Sequence, residues 1–81
     1  MKSLLSLLDV PVGKRVYVRH LTSRPEVCVR LREIGFCENA VIRCVARNNV
    51  CLICEVCNTR FGLNTAVASK ILVSRSDEVI S

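Results

Sequence analysis

From Lys14 to Leu21 apolar and polar residues alternate, with Val16 and Val18 on one side and Arg15, Tyr17 and Arg19 on the other. This period of two predicts a half-buried strand, and Gly13 supplies the turn before it. Ahead of it, Leu4 to Val12 has apolar residues too irregularly spaced to assign, and Pro11 argues against a regular element running through them. Beyond Leu21 the period lengthens. Ser23 and Glu26 stand at the spacing of a capping box, Pro25 suits a first helical turn, and Val27, Leu31 and Ile34 recur at i, i+4, i+7. The pattern predicts a short helix with one apolar face, ended by Gly35 in the left-handed conformation. Arg24, Arg30, Arg32 and Glu33 fall on its solvated side.

After the turn Cys37-Glu38-Asn39, residues Ala40 to Arg47 alternate again, with Ile42 and Cys44 on one face and Val41, Arg43, Val45 and Arg47 on the other. Asn48-Asn49 suits a turn. Val50 to Val56 reads as a third strand, Cys57-Asn58-Thr59 as a tight connection and Arg60 to Leu63 as a fourth strand pairing back on the third. Thr65 to Lys70 has room for one helical turn, and Ile71-Leu72-Val73 closes the pattern as a last strand. Short strands with one inserted helix predict a mainly β domain: a small, strongly bent sheet closed into a barrel. We expect one domain over residues 1–75 and a polar tail over 76–81.

Composition sharpens this picture. Eighty-one residues, 51% of them apolar, suffice for one modest core, and with only Tyr17, Phe36 and Phe61 as aromatics that core is built from Val, Leu, Ile, Ala and Cys. No run approaches the roughly 20 apolar residues that cross a bilayer, and the opening Met-Lys-Ser-Leu-Leu lacks the cleavage pattern of a secretory signal. We therefore expect a cytoplasmic protein that does not span the membrane, and six free thiols rather than a disulfide framework. The net charge is +5, but Asp77 and Glu78 lie in the terminal segment, so the body is more basic than the whole. Such a body favours acidic surfaces.

The segment Val29-Arg30-Leu31-Arg32-Glu33-Ile34-Gly35-Phe36-Cys37-Glu38-Asn39 resembles the "RLxELGΦxPG" stretch of the FeoA family, with Glu38-Asn39 in place of Pro-Gly. Thr59-Arg60-Phe61-Gly62-Leu63, Ala68 and Ile71-Leu72-Val73 resemble that family's hairpin, closing turn and last strand, so the likeness runs in order along essentially the whole chain. The resemblance implies an SH3-like barrel without catalytic residues or cofactors. It also implies an accessory or regulatory role in bacterial ferrous iron uptake, beside the FeoB membrane GTPase that carries Fe²⁺ inward. Related domains sit at the end of iron-dependent repressors. Asn39 can occupy the left-handed position that Gly fills in the family, whereas the cysteine enrichment is a departure from it.

With such a partner, the candidate docking residues are the outward side chains Arg15, Tyr17, Arg19, Arg43 and Arg47. Weak self-association is left open. The rival partner is RNA or single-stranded DNA, disfavoured because only Tyr17 could offer a stacking platform. A third reading is an iron-sensing or metal-binding module built on Cys51-x-x-Cys54-x-x-Cys57. On a strand, residues an odd number apart face opposite sides, so Cys54 would point away from Cys51 and Cys57, themselves about 20 Å apart. A structural metal site needs four convergent ligands. His20, alone or with Glu26 or Cys28, is a weaker candidate still. One His and three Gly assemble neither a nucleophile triad nor a phosphate loop, and no enzyme activity is expected.

Overall fold

A computed structural model describes residues 4–75; the predicted tail at 76–81 lies outside the described residues. The chain forms β1 (Leu5–Ser6), a 3-10 turn (Leu7–Asp9), β2 (Arg15–Leu21), α1 (Pro25–Glu33), β3 (Val41–Arg47), β4 (Cys51–Val56), β5 (Thr59–Asn64), α2 (Thr65–Ala68) and β6 (Ile71–Arg75). The strands make a single antiparallel sheet in the order β1-β6-β2-β3-β4-β5. The predicted mainly β architecture, with one inserted helix and a short helical turn before the last strand, is the one observed. The ladder itself stays open, because among the described residues β1 and β5 are edges that do not pair with each other.

Alternation delivers the core. Val16, Val18, Ile42, Cys44, Leu52, Cys54, Val56, Leu63, Ile71 and Val73 all turn inward and are buried. Leu31 of α1 and Phe36 after it fill the space above the sheet, with Phe36 edge-on to Phe61 at a centroid distance of 6.1 Å. The untyped segment before β2 proves to be part of this core: Leu7 and Val10 are fully buried, which its irregular spacing could not reveal because the 3-10 turn follows neither period.

The two ends of α1 differ in legibility. Its start departs from expectation, since Pro25 occupies the first helical position and makes Arg24 the N-cap, with no side-chain cap bond. Ser23 therefore sits one residue too early for the predicted capping box. Its carbonyl instead accepts from the buried Cys28 thiol at 3.3 Å. The end follows expectation. Gly35 has φ +110°, its N–H bonds the Arg32 carbonyl at 3.2 Å, and the Phe36 N–H reaches back to Leu31 at 2.8 Å, the double closure of a Schellman motif. A Cβ on Gly35 would lie 3.2 Å from a Val56 methyl, so both conformation and space require glycine there.

Two tight turns follow the same logic. Asn39, at φ 73°, is the third residue of a turn closed by the Ala40 N–H on the Cys37 carbonyl, 3.0 Å. Cys57 and Asn58, at φ 54° and 62°, link β4 to β5 with the two left-handed residues of a type I′ hairpin. Asn48 ties the β3–β4 turn by accepting from the Val50 and Cys51 N–H groups at 2.8 and 3.0 Å.

Candidate functional site

Register places Arg15 directly across from Arg43, Arg43 across from Glu55, and Glu55 across from Arg60, so one charged row crosses the outer face from β2 to β5. One step along, Tyr17 stands opposite Val41, which is 44% exposed and leaves an apolar spot beside the charges. Arg15, Tyr17, Arg19 and Arg43 share this face.

Their availability differs. The Arg43 guanidinium donates to Glu55 at 2.8 Å, while its Nε is buried without a partner. Arg19, the extra residue where the β2–β6 register shifts, donates through Nε to the buried Ser74 hydroxyl at 2.8 Å and through Nη1 to Asn39 at 2.6 Å. Its guanidinium also lies 5.0 Å from the centre of the Tyr17 ring, a cation–π contact that covers one face of the only aromatic on this surface. Arg15 is exposed and enters no ion pair among the described residues.

Arg47 corrects the sequence reading. The β3–β4 register shifts between Cys44 and Ala46, leaving Val45 as an extra residue, and beyond this bulge Arg47 pairs with the buried Leu52 rather than with an outward residue. The alternation is thereby reversed. Arg47 swings to the other side of the sheet, where it donates to the Leu8 carbonyl at 2.7 Å and to the Val10 carbonyl. Its charge holds the segment before β2 in place instead of joining Arg43 on the outer face.

The strand assignment also decides the cysteines. Cys54 is buried opposite Cys44 on the inner face, Cys51 is half-buried on the outer one, and Cys57 is exposed in the hairpin turn. Burial, and to a lesser degree the neighbouring Cys44, push the Cys54 thiol up to about 12 from its ordinary value near 9.0. It is a packed hydrophobe and a poor ligand. His20 is exposed at the end of β2, while Cys28 points into the protein and donates to the Ser23 and Leu21 carbonyls. Glu26 lies by Arg24 at 4.0 Å. Among the described residues no three His, Cys, Asp or Glu side chains gather as a metal-holding group.

The FeoA domain profile matches residues 5–75. The chain belongs to the FeoA domain family. No curated protein sequence matches it. Among solved structures, the Stenotrophomonas maltophilia FeoA, crystallised with zinc and described as a procaryotic SH3 domain protein, is 28% identical over 88% of each chain with a TM-score of 0.68. The FeoA-like protein of Clostridium acetobutylicum superimposes at a TM-score of 0.81 with 17% identity, covering 100% of this chain and 96% of its own. A manganese-dependent transcriptional repressor reaches 0.83 at 17% identity; the match covers 93% of this chain but 43% of the repressor. The fold is therefore the SH3-like one of FeoA domains.

This FeoA domain replaces the Pro-Gly of the family pattern by Glu38-Asn39 without losing the turn. Asn39 takes the positive φ, and Glu38 gains a role that Pro could not have. Its carboxylate accepts two bonds from Arg32 of α1, at 3.2 and 2.8 Å. That bidentate pairing, with a smaller contribution from the backbone, holds the Glu38 carboxyl down at about 2. Among the described residues no helix is long and apolar enough to cross a membrane.

Proposed function

We propose that this chain is a cytoplasmic, non-enzymatic accessory protein of bacterial ferrous iron uptake that works by binding the cytoplasmic domain of a FeoB-type transporter GTPase. Its membership of the FeoA domain family over residues 5–75 carries the reading. The Stenotrophomonas relative, described as a candidate ferrous iron transport activating factor, supports the process. The outer face supports the mode of action: Arg15, Tyr17, Arg19 and Arg43 share it with the exposed Val41, so polar groups flank an apolar spot, and the basic charge suits an acidic partner surface. Arg47 is left out of this docking face because its guanidinium is spent on the Leu8 and Val10 carbonyls.

The nucleic-acid alternative loses ground on the same observation, since Arg19 already covers a face of Tyr17 that a base would need. The test is ferrous iron uptake in the bacterium that encodes the chain. Deleting its gene is expected to lower Fe²⁺ accumulation through the transporter, with recovery when the gene is returned. Unchanged accumulation in the deletion strain, with the transporter present at its normal level, would refute the role.

A further inference from the structure

A cavity of about 520 Å³ opens where the start of β2 meets the end of β6, a size typical of ligand grooves. Its lining combines Lys14, Arg15 and Arg75 with the apolar Leu5 and Pro11, and one carboxylate, Asp9. Arg75 stands at the opposite end of the chain from Lys14 and Arg15, and only the β2–β6 ladder, in which Val16 faces Arg75, brings them together.

All three cations are exposed, and none belongs to an ion pair among the described residues; those pairs are Arg24–Glu26, Arg32–Glu38 and Arg43–Glu55. Positive charge is thus concentrated around a partly apolar cleft and, among the described residues, is not taken up in ion pairs. A cleft of this kind focuses the field of its charges, and a carboxylate entering it would meet up to three donors at once. The apolar lining would be wasted on a small inorganic anion. Asp9 in the wall opposes a uniformly anionic polymer such as nucleic acid.

We propose that this groove is the anchoring site for an extended acidic segment of the protein partner, one that sets carboxylates against Lys14, Arg15 and Arg75 and an apolar side chain against Leu5 and Pro11. The inference rests on the partner-binding reading above and locates its anchor. Arg15 belongs to both surfaces, so the groove continues the outer face round the end of the sheet rather than competing with it.

The test uses the whole chain and the soluble cytoplasmic GTPase domain of the transporter, titrated at low and at physiological salt. Lys14→Glu/Arg75→Glu is compared with Arg30→Glu/Lys70→Glu, which makes the same net charge change at exposed positions away from the groove. The groove variant is expected to bind about tenfold more weakly or worse, as when interfacial charge pairs are lost, and the control to stay within a few-fold of the unchanged chain. Equal losses in both variants, or no loss in the groove variant, would overturn the anchor while leaving partner binding intact. Absence of binding by the unchanged chain would overturn both. Backbone amide shifts of the unchanged chain, recorded as the GTPase domain is added, need no substitution: they are expected to move most at Val10, Lys14, Arg15 and Arg75, and a map centred elsewhere would also reject the anchor.

Discussion

Arg43 and Arg47 lie four residues apart on β3, yet they do opposite work. Arg43 stays on the outer face, paired with Glu55 in the charged row, whereas Arg47, past the bulge at Val45, reaches over the end of the sheet to two backbone carbonyls. One extra residue in a strand turns a surface charge into a structural tie. Charge counted along the sequence therefore overstates the charge offered to a partner, while Lys14, Arg15 and Arg75, in no ion pair among the described residues, gather around one groove.

The largest expected effect fixes the scale against which the two arginines are compared. Leu31→Ala removes a side chain buried between α1 and the sheet and should cost roughly 2–5 kcal/mol, read from denaturant unfolding. A change below about 1 kcal/mol would mean that the helix does not pack as described. Next comes Arg47→Ala, expected to cost about 2 kcal/mol because it strips charge-assisted bonds from two carbonyls. Arg43→Ala should cost about 1 kcal/mol or less, since its pair with Glu55 is partly open to solvent. The comparison breaks if these two variants unfold at the same denaturant concentration.

The smallest expected effect concerns the turn that replaces Pro-Gly. The Glu38 carboxyl lies at about 2 in the folded protein against an ordinary 4.5, so its pairing with Arg32 adds stability that is fully present above the ordinary value and is lost as pH falls through about 2. Glu38→Gln should lower stability slightly at neutral pH, where the pairing is fully formed, and converge with the unchanged chain near pH 2, so that the acid limb of the profile is slightly flattened. Thermal melts between pH 2 and pH 6 read this directly, and an identical acid limb in the two proteins would contradict the assigned pairing.

These contrasts also explain what could be read from the chain beforehand. Period-two alternation located β2 and β3 and their inward Val16, Val18, Ile42 and Cys44, because burying one face of a sheet constrains every second side chain, and short apolar runs between turn residues located β4 to β6. Gly35 and Asn39 announced their turns through the rarity of left-handed backbone elsewhere. The bulge left no such mark: Cys44-Val45-Ala46 contains neither Gly nor Pro, and its existence depends on how β3 pairs with β4. The error at Arg47 follows from it. The capping-box error at Ser23 arose because Ser23-Arg24-Pro25-Glu26 satisfies two start signals one residue apart, and the proline, with its fixed φ, prevailed. The groove was invisible for a third reason, since it is assembled from three separate stretches of chain.

The central claim is that this FeoA domain acts by binding a transporter GTPase, and its most direct test is a calorimetric titration of the whole chain into the soluble cytoplasmic domain of that GTPase. A pool of RNA and single-stranded DNA is titrated in parallel at matched ionic strength. Saturable binding to the GTPase domain that weakens as salt screens the basic surface is expected, with little heat from nucleic acid. Tight binding to the nucleic-acid pool at physiological salt, with none to the GTPase domain, would contradict the claim.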